Sequence, residues 1–202
     1  MRTIHEIREA FGRSGAAILN GHNETIERIA SETDPEDGRY LDRLPARERR
    51  NLMREQKTER ARESHETAVK AYTAEVERYH EELSERVEYL RGRLFGVEDA
   101  GALSRAALAS DTELGTLLEI AAHAGNAELG RAVFAASEQR GLGDLMARYF
   151  DRLDGEARTL YAEWTEAPPA EVLGRQASPE SVETLLPAPD PDRLMPTATA
   201  NT

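Results

Sequence analysis

The side chains of this sequence best suited to proton transfer or metal binding near neutral pH are its five histidines, His5, His22, His65, His80 and His123. No two of them stand three or four residues apart, so no single helix supplies a zinc-binding pair. The chain contains no cysteine, which excludes disulfides, thiol catalysis and thiolate-held metals. It also lacks a glycine-rich phosphate loop, a nucleophile elbow and a paired-glycine dinucleotide motif, and it has no strand signal to support one. Each histidine therefore reads as a surface or half-buried helix residue. The many carboxylates read as the ordinary product of a charge-rich helical sequence. The expectation is a protein that is not an enzyme, with no catalytic residue, no cofactor and no metal.

One pattern stands out. Arg43, Arg47, Arg50, Arg54 and Lys57 follow steps of four, three, four and three, so the last four share one helix face and Arg43 lies just before it. Arg49, Arg60 and Arg62 lie close by. This basic stripe has three readings. It is a solvated face balanced by Glu48, Glu55, Glu59 and Glu63; it meets an acidic protein partner, a second copy of this chain included; or it meets nucleic acid. The last is disfavoured, because no aromatics are interleaved and a formal net charge of −12 repels phosphate.

The stripe sits on the stretch that organises the chain, from Pro45 to Phe95. Glu, Arg, Ala and Leu dominate it, its one proline is at the first position, and its one glycine, Gly92, is near the end. It predicts a single helix about 75 Å long at 1.5 Å per residue. In its second half Tyr72, Val76, Tyr79, Leu83, Val87, Leu90 and Leu94 recur about every 3.7 residues, a seam that runs nearly straight along the helix. These seven are the predicted helix-packing interface, within the chain or between chains. The first half, from Ala46 to Thr67, is almost wholly charged apart from Leu52 and Met53. It is expected to be solvated or to meet a polar partner.

The flanking segments are also helical. Thr3-x-x-Glu6 is a capping-box pattern before the series Ile4, Ile7, Phe11, Gly15, Ile18, His22, Ile26 and Ile29. Asn20-Gly21 predicts a break in that series, and Asp34-Pro35-Glu36-Asp37-Gly38 a loop. Tyr40, Leu41 and Leu44 form a short patch expected to pack back. After Gly96 come short Ala- and Leu-rich helices. Glu113-Leu114-Gly115 recurs as Glu128-Leu129-Gly130, with a diverged third copy at Gly143-Asp144-Leu145. Asp111 and Asn126 are the expected N-caps, and Gly125 and Gly141 the stops. A last helix carries Leu145, Tyr149, Leu153, Leu160, Tyr161 and Trp164, with a bend at Asp154-Gly155. From Ala167 onward the sequence holds seven of the nine prolines. It predicts an extended or disordered arm with one short helix from Ser178 to Leu186. Leu185, Leu186, Leu194 and Met195 are its expected anchors on another subunit or partner.

The chain is thus expected to be all-α, in four segments: 1–44, the long helix 45–95, a small bundle or solenoid over 96–166, and the arm 167–202. No stretch is long and apolar enough to predict a membrane span, and the N-terminus lacks the apolar core of a signal peptide. This layout resembles the helical accessory and assembly proteins of tailed-bacteriophage virions. The resemblance implies a structural subunit whose partners are copies of itself and other subunits, located in the virion. The other class the layout fits is a cytoplasmic helical adaptor or regulatory protein that binds a protein partner.

Overall fold

Fifty consecutive residues, Ala46–Phe95, form one unbroken α-helix, α2, in the computed structural model. The structure describes residues 1–32, 44–169, 182 and 184–195. Among these it is all-helical, with seven helices and no strand. Pro45 stands at the entrance of α2, and its carbonyl accepts from the Arg49 amide at 3.0 Å, so the helical bonding begins there. At the far end a Cβ added to Gly96 would fall 2.3 Å from the Gly92 carbonyl oxygen, so only glycine fits where the helix stops.

α1 spans Ile4–Ser31 without interruption. The break expected at Asn20-Gly21 does not occur. Both residues are exposed, while Ile18, Leu19 and His22 on the other face are at least partly buried. One helical glycine costs about 1 kcal/mol relative to alanine. Burying a single aliphatic side chain contributes about 1.5–3 kcal/mol, and the packed face wins.

The chain forms two compact units, and α2 contributes to both. One joins residues 1–5 to 82–173; the other joins residues 6–81 to 174–202.

In the first unit five short helices follow α2. They are α3 (Ala100–Leu108), α4 (Asp111–Ala124), α5 (Ala127–Gln139), α6 (Gly143–Arg152) and α7 (Gly155–Thr165). Polar side chains cap α3, α4, α5 and α7. Asp99 accepts from the amides of Gly101 and Ala102, Asn126 from Leu129 and Asp154 from Ala157. The cap of α4 is Ser110 rather than Asp111, and with Glu113 it completes a capping box. Gly125, with φ of 62°, closes α4 in the left-handed conformation. The stretch expected as one bent helix is two helices, α6 and α7, because Asp154 starts a new one.

α5 lies against α3, α4 and α6. Its Phe134 is fully buried, and the rings of Phe95, Tyr149, Phe150 and Tyr161 lie 4.8–5.6 Å from it, centroid to centroid. The leucines of the recurring Glu-Leu-Gly, Leu114 and Leu129, are both buried. The glycine is needed for close packing only in the second copy: a Cβ at Gly130 would lie 2.7 Å from Leu153, whereas one at Gly115 would meet Leu145 at an ordinary 3.7 Å. Leu83, Leu90 and Leu94 of α2 are buried in this unit, and Val87 is partly so. Arg86, on the same side, is 7% exposed and grips Glu163 of α7 through two parallel bonds of 2.8 and 2.6 Å. Glu163 also accepts from the Ile4 amide at 2.8 Å, which satisfies a donor at the start of α1.

Candidate functional site

The second unit is built on α1 and residues 46–81 of α2, which run antiparallel. Phe11 stacks on Tyr79, His22 meets His65, and Ile29 packs with Ala61. The face of α2 used here is Lys57, Ala61, His65, Ala68 and Tyr72, in steps of four, four, three and four. It continues the seam of Tyr72 to Leu94 toward the N-terminus. Ala61 and Ala68 are small enough to leave a groove beside α1. A Cβ at Gly15 would lie 3.3 Å from the Tyr72 ring, so α1 also narrows where it crosses that ring.

The described residues of the arm lie in this groove. Val182 and Leu186 complete one apolar cluster with Ala68 and Tyr72, bordered by Phe11, Ile18, Leu19, Val69 and Val76. Leu194 completes a second cluster with Ile29 and Ala61. Val182, Leu186 and Leu194 are 1–3% exposed. The arm therefore runs antiparallel to α2, from Tyr72 toward Arg54, where Asp192 forms an ion pair. Leu186 donates to the Val182 carbonyl at 2.9 Å, one helical turn; the start of the expected helix from Ser178 lies outside the described residues. Asp190 accepts from the Asp192 amide, and its carbonyl from the Arg193 amide, which forms the turn that presents Leu194.

Polar bonds fix the register of the arm between its apolar anchors. Nε2 of His65 lies 2.9 Å from the Leu186 carbonyl oxygen. A carbonyl only accepts, so Nε2 carries the proton. Nδ1 of His22 meets the Ser64 hydroxyl at 3.3 Å, and the two imidazole centroids are 5.8 Å apart. Burial, with His65 beside it, lowers the pKa of His22. Lys57 is 4% exposed and donates to two carbonyls, Ala30 at 2.8 Å and Leu194 at 3.3 Å. One ammonium thus closes the C-terminus of α1 and holds the arm at Leu194. Burial lowers its pKa, while Glu32 opposes that shift and Arg60 adds to it. Arg60 in turn grips Glu32 through both oxygens.

These positions revise the sequence expectations. The first half of α2 is not simply solvated, because its alanines, His65 and Lys57 carry α1 and the arm. The basic stripe is not one open face. Arg47 and Arg50 are exposed, Arg54 is taken by Asp192, Lys57 is buried, and Arg43 lies outside the described residues. Of the expected arm anchors, Leu186 and Leu194 are buried against this chain's own helices. Leu185 is 53% exposed and Met195 partly buried. Val182 is the anchor absent from that set. Tyr72, Val76 and Tyr79 of the seam pack in this unit. Tyr40 and Leu41 lie outside the described residues, so the short patch is not placed.

Among the described residues no three His, Asp or Glu side chains converge as a metal ion requires, and no helix is long and apolar enough to cross a membrane. The fold and the groove define an all-α protein whose long helix, with α1, receives a C-terminal arm. No protein-family model, curated protein or solved structure matches the chain.

Proposed function

We propose that this chain is a non-enzymatic structural subunit that joins a multi-subunit particle through helix and arm contacts, with a tailed-bacteriophage virion as the setting. The observation that carries this reading is the arm in its groove. Three separated apolar anchors and a few polar bonds hold a proline-rich terminal segment against a long helix. Such a segment has little entropy to lose on docking, because proline already fixes φ. An extended arm with spaced anchors is a device for linking surfaces rather than for turning over a substrate. Sedimentation of the purified chain across the micromolar range tests the proposal. Species larger than a dimer that grow with concentration are expected, and a monomer at every concentration contradicts it.

A second reading, a helical adaptor, draws on a different feature. α3 and α5 enclose a shallow cleft lined by Leu103, Ala106, Ala107, Ala132 and Ala136. Leu103 is 42% exposed at its edge, and Leu108, at the end of α3, is 87% exposed. An adaptor that binds one apolar helix in this cleft would stay monomeric or dimeric in the same sedimentation experiment, and Leu103→Glu would abolish its binding without changing its size.

A further inference from the structure

We infer that the groove of one copy of this chain accepts the arm of a second copy, so that residues 182–195 are exchanged between chains. This rests on the assembly reading above and names the joint through which it operates. Three observations carry it. First, the arm belongs to the unit formed by residues 6–81 and 174–202, whereas α7, the helix before it, belongs to the other. The chain changes units at the arm, which is the topology in which a terminal element can be traded for its counterpart in a neighbour.

Second, residues 170–181 separate the described part of the arm from the body. Twelve residues reach at most about 40 Å when extended, so the tether itself does not confine the arm to the groove of its own chain. Third, the contacts are self-contained. Leu194 meets Ile29, Ala61 and Lys57, with Ile26 and Ala30 beside them; Leu186 meets Ala68, Tyr72 and His65; Asp192 meets Arg54. An arm from a second copy meets the same groove with the same bonds, so the two arrangements differ only in the linker and in concentration. A tethered arm competes at an effective concentration of millimolar order, so exchange is favoured where chains are crowded to that level. If each arm passes to the next chain rather than back, the contact is head-to-tail and builds rings or filaments.

The absence of cysteine makes a direct test available. Arg54→Cys and Asp192→Cys are placed in separate full-length chains, one with a mass tag. Both side chains are at least half exposed, at 51% and 80%, and their ion pair contributes little to folding. The chains are mixed at about millimolar concentration, equilibrated and treated with a short bis-maleimide. A covalent product joining the two different chains is expected, at a yield at least about tenfold above that of a control whose Asp192→Cys chain also carries Leu186→Asp and Leu194→Asp. A chain bearing both cysteines should close on itself when dilute. The proposal is overturned if the double-cysteine chain closes but the mixture gives no more two-chain product than the control. It is equally overturned if the double-cysteine chain does not close, since the groove then does not hold the arm. Sedimentation of the Leu186→Asp, Leu194→Asp chain alone separates the two readings: large species that persist when every chain lacks the anchors retain the assembly function and reject arm exchange.

Discussion

The ammonium group of Lys57 donates a 2.8 Å hydrogen bond to the carbonyl oxygen of Ala30, in the last turn of α1. It also reaches the Leu194 carbonyl of the arm, so one buried cation joins three segments of chain. Lys57→Met keeps the aliphatic stem and removes the donor. Leaving a buried polar group without its partner costs about 1–3 kcal/mol. The variant should lose stability of that order in denaturant titrations, while Lys70→Met, at an exposed position of the same helix, should change it by less than about 0.5 kcal/mol.

The Arg86–Glu163 pair gives a second prediction. Both side chains are nearly buried, at 9% and 12% exposure, and removing one member of such a pair costs about 3–5 kcal/mol. Glu163→Gln should therefore destabilise strongly. The hydrogen bond from Arg86, first, and the Ile4 amide hold the Glu163 carboxyl below its ordinary pKa of 4.5, against the effect of burial. With the folded-state value depressed, the unfolded chain binds more protons below that ordinary value. The contribution of Glu163 is full above pH 4.5 and is lost as pH falls through the lowered value. Acid titration of stability should show this loss in the native chain and a shallower slope in Glu163→Gln.

His22 predicts a second pH dependence, at higher pH. Its folded pKa lies below the ordinary 6.5, through burial first and His65 second. The unfolded chain therefore takes up the proton first as pH falls, and stability declines from about 6.5 down through the lowered value. Urea midpoints at about pH 7.5 and about pH 5.5 should differ in the native chain. His22→Asn keeps a polar group near Ser64 but cannot titrate, and the difference should shrink.

Along the seam, Leu83 is 1% exposed and Glu77 is exposed. Leu83→Asp buries a charge without a partner and should unfold much of the chain, whereas Glu77→Lys should be nearly silent. Melting followed by circular dichroism checks the pair, and equal behaviour would put the packed face elsewhere.

The long helix was legible because helix-forming residues run unbroken from Ala46 to Arg91, and the second-half seam because Tyr, Val and Leu mark it. The same seam continues through Ala61 and Ala68, in register with Tyr72, but alanine among arginines and glutamates gives little apolar contrast. Its signal in the sequence is the recurrence of small residues in the phase of the seam. Lys57 is indistinguishable in spacing from the arginines around it, because spacing shows which face a residue occupies, not whether a carbonyl waits there. Gly21 reads as a break because local turn chemistry is visible in sequence, whereas the burial that overrides it comes from distant residues. Leu186 and Leu194 stand in apolar pairs among prolines and are legible as candidate contacts, but nothing local marks Val182 or separates Leu186 from the exposed Leu185. Which surface receives them depends on a groove made by two other segments, and no local pattern encodes that.

The central claim is that residues 182–195 are a ligand of the groove formed by α1 and α2. Its most direct test is fluorescence anisotropy of a labelled peptide of that sequence, titrated with the chain ended after Pro169, whose helical content is first checked by circular dichroism. A tether supplies an effective concentration of millimolar order, so the free peptide should bind with a Kd of about a millimolar or tighter. Binding should saturate, be displaced by unlabelled peptide and weaken several-fold with Lys57→Met. A folded, truncated chain that shows no saturable binding up to about millimolar peptide, or that binds a Leu186→Asp, Leu194→Asp peptide equally well, contradicts the claim.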